Sequence, residues 1–173
     1  MSVSVEKQSG FSLIEVLIAL VVISVGLLAT ARMQMEALRG SQGAYFSSQA
    51  NFMIREMSDR MRANPQGVRD GNYDLLTTSS GAAASMSTCI ETETVCTPSA
   101  IANADLATWS RYLHSTAATA TGFAPLLPSG DTVTATGSVI ADGATGSYTI
   151  SVTWSERING EEETRSMSVQ VYP

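Results

Sequence analysis

The sequence predicts an α+β fold in which one long N-terminal helix packs on a C-terminal antiparallel β-sheet of three strands. Three observations lead to this prediction. Residues 11–31 are apolar almost throughout, apolar residues then recur at helical spacing as far as residue 61, and polar and apolar residues alternate within residues 131–173. A helix with one apolar side and a sheet with one apolar face can bury each other.

Residues 11–31 contain one charged side chain, that of Glu15. The run just reaches the roughly 20 residues that a helix needs to cross a bilayer. A carboxylate at mid-membrane costs about 2.5 to 3.5 kcal/mol, so an acid in such a helix is a functional candidate that needs a partner. Cleavage after Gly10 would supply one, because the new α-amino group of Phe11 is a cation with an ordinary pKa of about 7.7 to 8.0.

Two other interpretations of this segment stay open. A secretory signal peptide could be cut after Ala29-Thr30-Ala31, which has the small-residue form of a signal peptidase site. Against it, the region before Phe11 holds only Glu6 and Lys7 and is therefore not basic. The segment could also be an uncleaved signal anchor, but a plain anchor would give Glu15 no purpose.

The residues after Arg32 predict an amphipathic continuation of the same helix, ended by Asn64-Pro65 because a residue before proline avoids the α region. We expect one helix over residues 11–63. Its apolar positions follow steps of four, three, four and four, which indicates a buried face rather than a methionine-rich metal site. These positions are Phe46, Ala50, Met53, Met57 and Met61, with Arg55, Asp59 and Arg62 on the opposite side. Phe52 lies away from the methionine face and is a candidate contact to a neighbouring subunit.

Residues 65–130 are predicted to form a connection that includes one further helix. Cys89 and Cys96 are the only two cysteines, and in an exported chain such a close pair is expected to form a disulfide. Two cysteines without further ligands do not fill a tetrahedral metal site. The helix should begin at Pro98 and end near His114, with Asp105 and Arg111 available to solvent.

Residues 131–173 predict a three-stranded meander. Apolar residues alternate with Ser and Thr over Tyr148–Trp154 and again over Met167–Val171, as in half-buried antiparallel strands. Asn159-Gly160 between them is a strong signal for a two-residue hairpin turn. A weaker first strand is expected around Val133–Val139, and the acids Glu161–Glu163 are interpreted as a solvated hairpin end.

The charge distribution excludes some classes of function. Residues 75–173 carry three arginines against nine acids, which accounts for the net charge of −6, so this part has no basic cluster for nucleic-acid phosphates. A single histidine, His114, and no Walker-type phosphate loop leave little basis for an enzyme. No cofactor or metal is expected.

The segment from Gly10 to Glu15 closely resembles the class III signal of type IV pilins and pseudopilins. The resemblance implies cleavage by a prepilin peptidase after Gly10, methylation of the Phe11 amine, and a role for Glu15 in assembly. The order of helix, loop and sheet is similar to the type IV pilin fold over essentially the whole chain. Within that family, similarity to the PilV-type minor pilins rests on Asp59–Pro65 with Gly71–Tyr73, on Asp105–Trp109 and on Tyr148–Trp154.

The resemblance implies a division into a leader (residues 1–10), a membrane and assembly half of the helix (11–31), its amphipathic half (32–64), a connecting region (65–130) and the sheet (131–173). The subunit is expected in the inner membrane, with its C-terminal domain in the periplasm, and then in a surface pilus. Expected partners are major and other minor pilins, prepilin peptidase, the inner-membrane assembly platform and membrane lipid, with a tip adhesin as a further candidate and no direct contact to nucleic acid.

Two alternatives to a minor pilin that primes or supports pilus assembly, in twitching motility or adhesion, remain. A pseudopilin of a type II secretion system uses the same kind of helix and the same peptidase. A membrane-anchored periplasmic binding domain would need neither Glu15 nor a leader cut.

Overall fold

The structure is a computed structural model that describes residues 10–84, 95–114, 124–158 and 160–173. The chain divides into two compact units, Met1–Gln42 and Gly43–Pro173. The first helix, α1 (Leu13–Ala63), contributes residues to both units. The other described helices and strands all belong to the second unit.

In the first unit, α1 begins at Leu13, two residues later than the sequence predicts. The carbonyl of Ser12 accepts hydrogen bonds from the amides of Glu15 (3.0 Å) and Val16 (3.3 Å), so Ser12 closes the first turn. Every described residue of this unit, from Gly10 to Gln42, is exposed. The apolar side chains of this half are therefore not buried by the described part of their own unit.

In the second unit, one face of α1 enters the hydrophobic core, as predicted. Ala50, Met53, Met57 and Met61 are buried, and Ile54 between them is buried as well. The arginines and the aspartate predicted on the opposite side are exposed. The methionines thus serve as core residues of the amphipathic half.

Asn64 ends α1 and begins the next helix, α2 (Pro65–Arg69). Its side-chain oxygen accepts a hydrogen bond from the amide of Gly67 at 3.1 Å, which is a typical N-cap. Proline then takes the first helical position, where its missing N–H costs nothing. The predicted helix end at Ala63 is therefore confirmed.

The sheet has four antiparallel strands in the order β1-β2-β3-β4. They are β1 (Leu75–Thr77), β2 (Thr136–Asp142), β3 (Ser147–Ile158) and β4 (Glu161–Val171). The prediction of a long helix on a C-terminal antiparallel sheet is confirmed, but its count of three strands is wrong. β1 has only three residues, too few to show an alternating pattern. β2 also begins later than expected, at Thr136.

Strand β3 pairs with both β2 and β4 and carries the predicted alternation into the core. Tyr148, Ile150, Val152 and Trp154 are buried, each two residues from the next. The hairpin to β4 turns within two residues, since Ile158 is paired with Glu161. Gly160 in this turn has φ of 92°, a value that glycine adopts without strain. Asn159 lies outside the described residues.

Two further helices of the second unit lie within the described residues. They are α3 (Ser80–Ala84) and α4 (Pro98–Leu113), and α4 is capped by the Thr97 hydroxyl and followed by His114. Trp109 of α4 is fully buried and packs directly on β2, because a Cβ at Gly137 would lie 2.5 Å from the indole ring.

Candidate processing and assembly site

The N-terminal candidate residues stand at the beginning of α1. Gly10 and Phe11 precede the helix, and the Phe11 side chain is 83% exposed. Glu15 lies in the first helical turn, where the unpaired amides of a helix N-terminus favour a negative charge. The bond between Gly10 and Phe11 is thus outside regular secondary structure, the kind of backbone that a peptidase can bind in extended form.

The apolar half of α1 is long enough and apolar enough to cross a membrane, and none of its most apolar stretch is buried. Exposed apolar surface of this size marks a lipid or protein interaction site. The Glu15 side chain stands within this helix and is itself exposed. A membrane or other apolar helices would therefore be its surroundings.

The described residues include only one of the two cysteines. Cys96 is half-buried just before the Thr97 cap of α4, whereas Cys89 lies outside the described residues. The disulfide between them stays a prediction.

A buried polar cluster joins three segments of the second unit. It consists of Arg60, Asn64, Tyr73 and Asp105. The Tyr73 hydroxyl donates to Asp105 Oδ2 at 2.6 Å, and Asn64 Nδ2 donates to the Tyr73 hydroxyl at 3.1 Å. Arg60 Nη1 donates to Asp105 Oδ1 at 3.1 Å. Both oxygens of the Asp105 carboxylate are therefore occupied.

The position of Asp105 corrects the expectation that it faces solvent. Its residue is 7% exposed, and Tyr73 is fully buried. Asp105 precedes the buried Trp109 by one helical turn, so both side chains lie on the same face of α4. Polarity suggested exposure, but the tyrosine and arginine partners make burial of this carboxylate possible.

The polar cluster continues toward the surface through Glu56. Its Oε1 accepts from Arg60 Nη2 at 2.6 Å and from the Tyr112 hydroxyl at 3.1 Å. The indole of Trp109 also donates to the carbonyl of Met53 at 3.2 Å. These contacts fix α4 on the amphipathic half of α1 by directed hydrogen bonds as well as by apolar packing.

The environment of the cluster shifts two pKa values. Burial and then the hydrogen bond to Asp105 raise the pKa of Tyr73 well above its usual value, so its hydroxyl stays a donor. Burial alone would lower the pKa of Arg60, but its hydrogen bonds to Glu56 and Asp105 outweigh this and raise it. A permanently charged guanidinium and a permanently neutral phenol suit a structural role.

His114 is located as predicted, directly after α4. Its Nε2 is 3.0 Å from the Thr78 hydroxyl, and burial lowers the pKa of the imidazole. It is therefore neutral at neutral pH and contributes a local hydrogen bond.

Two family models match this chain. The model for the prokaryotic N-terminal methylation motif covers residues 6–31, and the model for the type IV pilin Tt1218 covers residues 32–107. Together they cover residues 6–107, which is more than half of the chain. The chain belongs to the type IV pilins. No curated protein and no solved structure matches it.

This pilin has the N-methylation motif of a prepilin and is a subunit processed at that motif. Its family is structural and non-enzymatic, which confirms the expectation that the chain is not an enzyme. An apolar N-terminal helix following this motif is consistent with residence in the inner membrane and then in a pilus. The family implies other pilins and a prepilin peptidase as partners.

The two matches divide the candidate residues of the pilin between them. Gly10, Phe11 and Glu15 lie within the methylation motif, whereas the polar cluster lies wholly within the pilin match. Sequence reasoning singled out the first group but did not connect the second. The available signal was the proximity of Asn64 to a helix-ending proline, together with an aspartate one turn before a tryptophan.

Proposed function

We propose that this pilin is a minor subunit of a type IV pilus that primes or supports fibre assembly. Prepilin peptidase cuts it after Gly10, and the amine of Phe11 is methylated. Residues 11–31 hold the subunit in the inner membrane until it is extracted into the fibre. The observation that carries this proposal is the methylation-motif match over residues 6–31 on a helix whose apolar half is fully exposed.

Glu15 is assigned the role of docking residue. A carboxylate among apolar helices is disfavoured unless it meets a cation. The cation offered by processing is the Phe11 amine, either of the same subunit or of its neighbour. The pair would fix the axial register of a subunit that enters the fibre.

The minor-pilin assignment is supported by the way that the PilV-like segments meet. The segment 59–65 contributes Arg60 and Asn64, the segment 71–73 contributes Tyr73, and the segment 105–109 contributes Asp105 to one polar cluster. Within this chain each of these side chains is hydrogen-bonded to another member of the cluster. This supports treating the segments as one structural signature, which a pseudopilin of a secretion system need not share.

The other partners follow from this role. They are the major pilin, other minor pilins, the inner-membrane assembly platform and membrane lipid, and a tip adhesin is a further candidate. Phe52 is 55% exposed on α1 in the second unit, on the side away from the buried methionines. It is the aromatic side chain that we assign to contact with a neighbouring subunit.

Mass spectrometry of the N-terminal peptide from membranes tests the processing step. The expected peptide begins at Phe11 and carries a methylated amine. A mature start at Arg32 would mean that a signal peptidase cuts the chain and would refute the pilin processing route. Quantification against the major pilin in sheared fibres then tests the minor role, since a minor subunit is expected at a small fraction of the major one. Presence in a secretion pseudopilus alone would favour the pseudopilin.

We also propose that Cys89 and Cys96 form a disulfide. The segment would be exported to an oxidising compartment, and the chain has no other thiol. Closing so short a loop would stabilise the folded state by about 2 to 3 kcal/mol. Thiol labelling of the denatured, non-reduced protein tests the bond, and two labelled cysteines would disprove it.

A further inference from the structure

The β3–β4 hairpin carries the Glu162 carboxylate, which binds the loop that precedes β2. Glu162 accepts hydrogen bonds from three consecutive backbone amides: Asp131 at 3.1 Å, Thr132 at 3.2 and 3.3 Å, and Val133 at 3.0 Å. The hydroxyl of Ser155 on β3 donates to the same carboxylate at 3.0 Å. Successive N–H groups that converge in this way form an anion-binding concavity. This corrects the interpretation of Glu162 as part of a solvated hairpin end.

The loop is shaped around this carboxylate. At Gly130 an added Cβ would collide with the Glu162 carboxylate and would lie 2.5 Å from Ser155 Oγ. Both of these contacts are made by groups of the hairpin, so glycine is needed there to leave room for them. Space at Gly130 is thus a second observation, independent of the hydrogen bonds, that the loop and Glu162 fit each other.

The loop also connects the hairpin to the core. The Ser155 amide donates to the Pro128 carbonyl at 3.1 Å, and the Ala135 amide donates to Ser129 Oγ at 2.9 Å. At its two ends, Leu127 and Ala135 are buried in the hydrophobic core. Residues 129–133 therefore form a short span between two anchored ends. Within it the Gly130 amide donates to the Val133 carbonyl at 2.7 Å, and the Glu162 carboxylate binds three of its amides to the hairpin.

Few other charges surround this carboxylate in the described residues. Arg157 is the cross-strand partner of Glu162, and its Nη2 lies 3.2 Å from Asp131 Oδ2, with both side chains well exposed. Along β4, Glu161 and Glu163 point to the opposite face of the strand from Glu162, and Glu163 is 3.2 Å from Arg165. Among the described residues, Asp131 and Arg157 are thus the charged groups that face the Glu162 carboxylate, and their opposite charges offset each other.

We propose that Glu162 is an acid-released latch, which holds residues 129–133 on the β3–β4 hairpin while it is ionised and frees them when it is protonated. An ionised carboxylate is an acceptor only and can serve four donors at once. A protonated one has turned one oxygen into a donor, which would face the loop amides and repel them. Opening would unpin the loop between Leu127 and Ala135 without breaking the pairing of β3 with β4.

The direction of the pH effect follows from the pKa of Glu162. Burial alone would raise this pKa, but the hydrogen bonds from Thr132, Ser155 and Val133 outweigh it and hold the pKa below its ordinary value of 4.5. A lowered folded-state pKa means that the stabilisation is complete above the ordinary value and is lost as pH falls through the lowered one. The latch is therefore closed at neutral pH and opens only in acid.

Amide NMR of the full chain in detergent micelles tests the latch, with selective ¹⁵N labelling of threonine and valine. From about pH 6 to about pH 3, the Thr132 and Val133 amides are expected to shift together, with a midpoint below the usual glutamate range. In Glu162→Gln this transition should vanish, and amide exchange at these two positions should become at least about tenfold faster at neutral pH.

Two control variants identify the titrating group. Glu163→Gln removes the adjacent acid on the opposite face, and Asp131→Asn removes the acid within the loop, so both should keep the transition. Loss of the transition in either control, or its persistence in Glu162→Gln, would overturn the proposal. If Glu162→Gln does not fold, the wild-type titration decides alone when it is continued to the pH at which the second unit unfolds. Amides that do not move until β3 and β4 separate are incompatible with an acid-released latch.

Discussion

The two compact units divide α1 into two parts, which contain the same kinds of apolar residue but bury them to opposite extents. Met35, in the first unit, is 57% exposed, whereas Met57, in the second unit, is fully buried. The difference shows that packing within the first unit does not bury the apolar side chains of its part of α1. Its apolar surface needs lipid or other subunits, while the apolar face of α1 in the second unit is already buried by the domain around it.

The charged residues repeat this contrast. In the second unit, Asp105 is buried with both of its carboxylate oxygens bonded. In the first unit, Glu15 stands on an exposed helix and its proposed partner is a cation that processing must create. Asp105 has its partners within the domain, whereas we propose that Glu15 finds its partner only in an assembly. Paired substitutions can therefore separate stability from assembly.

The largest effect on stability is expected from the methionines. Met57→Ala should lower the free energy of unfolding of the second unit by about 2 to 5 kcal/mol, because it leaves a cavity in a fully buried site. Met35→Ala, on the same helix, should change it by no more than about 0.5 kcal/mol. Urea unfolding of the full chain in micelles, followed by tryptophan fluorescence, measures both. Equal effects would show that the two halves are buried alike.

A somewhat smaller effect is expected from the aspartates. Asp105→Ala should cost about 3 kcal/mol, since it leaves the Arg60 guanidinium and the Tyr73 hydroxyl without their acceptor. Asp59→Ala is the matched control, because Asp59 also pairs with an arginine, Arg62 at 3.4 Å, but is well exposed. That change should cost less than about 0.5 kcal/mol. Comparable losses in the same urea experiment would argue against a buried cluster.

A third pair concerns the tyrosine of the cluster. Tyr73→Phe should cost about 1 to 2 kcal/mol, because the hydroxyl links Asn64 to Asp105, whereas Tyr45→Phe at an exposed site should be nearly neutral. The raised pKa of Tyr73 adds a pH effect. Its stabilisation is complete below the ordinary tyrosine pKa of about 10 and is lost as pH rises beyond it. Unfolding curves in alkali should therefore differ less between wild type and Tyr73→Phe than curves at neutral pH.

Much of this fold could be predicted because burial imposes a period on the sequence. Tyr148–Trp154 alternates because one face of β3 enters the core, and the methionines of α1 recur at helical steps for the same reason. The sequence did not predict β1, because a strand of three residues is too short to show an alternating pattern. A strand of that length is defined by its pairing with β2, not by its own sequence.

The polar contacts were the part that sequence reasoning could not supply. Arg60 and Asp105 are 45 residues apart, and Glu162 lies about 30 residues from the loop that it binds. The spacing of polar residues does not indicate a hydrogen-bond partner that is distant in sequence. Exposure was therefore the expectation for Asp105 and Glu162. The N-terminal motif was different, because its residues Gly10, Phe11 and Glu15 lie within one short stretch of sequence.

The last prediction concerns Glu15, where processing and docking must be separated. Processing should depend chiefly on the leader and Gly10, so Glu15→Ala is expected to be cut and methylated normally. It should also leave the stability of the second unit unchanged, since Glu15 belongs to the first unit. Replacing the acid makes the helix more apolar and therefore more stable in the bilayer.

The same change removes the attraction that draws the helix into an assembly. A carboxylate among apolar helices is disfavoured when it is alone and stabilised when it faces the Phe11 amine. The ionic pair therefore favours the fibre over the bilayer, and it can form only when the Glu15 carboxylate is present. Cleaved Glu15→Ala protein should thus accumulate in the inner membrane, with several-fold less in fibres. Immunoblots of sheared fibres and membranes measure the ratio, and Glu36→Ala, which removes an exposed acid of the same helix beyond the apolar run, is the control. Wild-type amounts of Glu15→Ala in fibres, with normal piliation, would show that another residue sets the register.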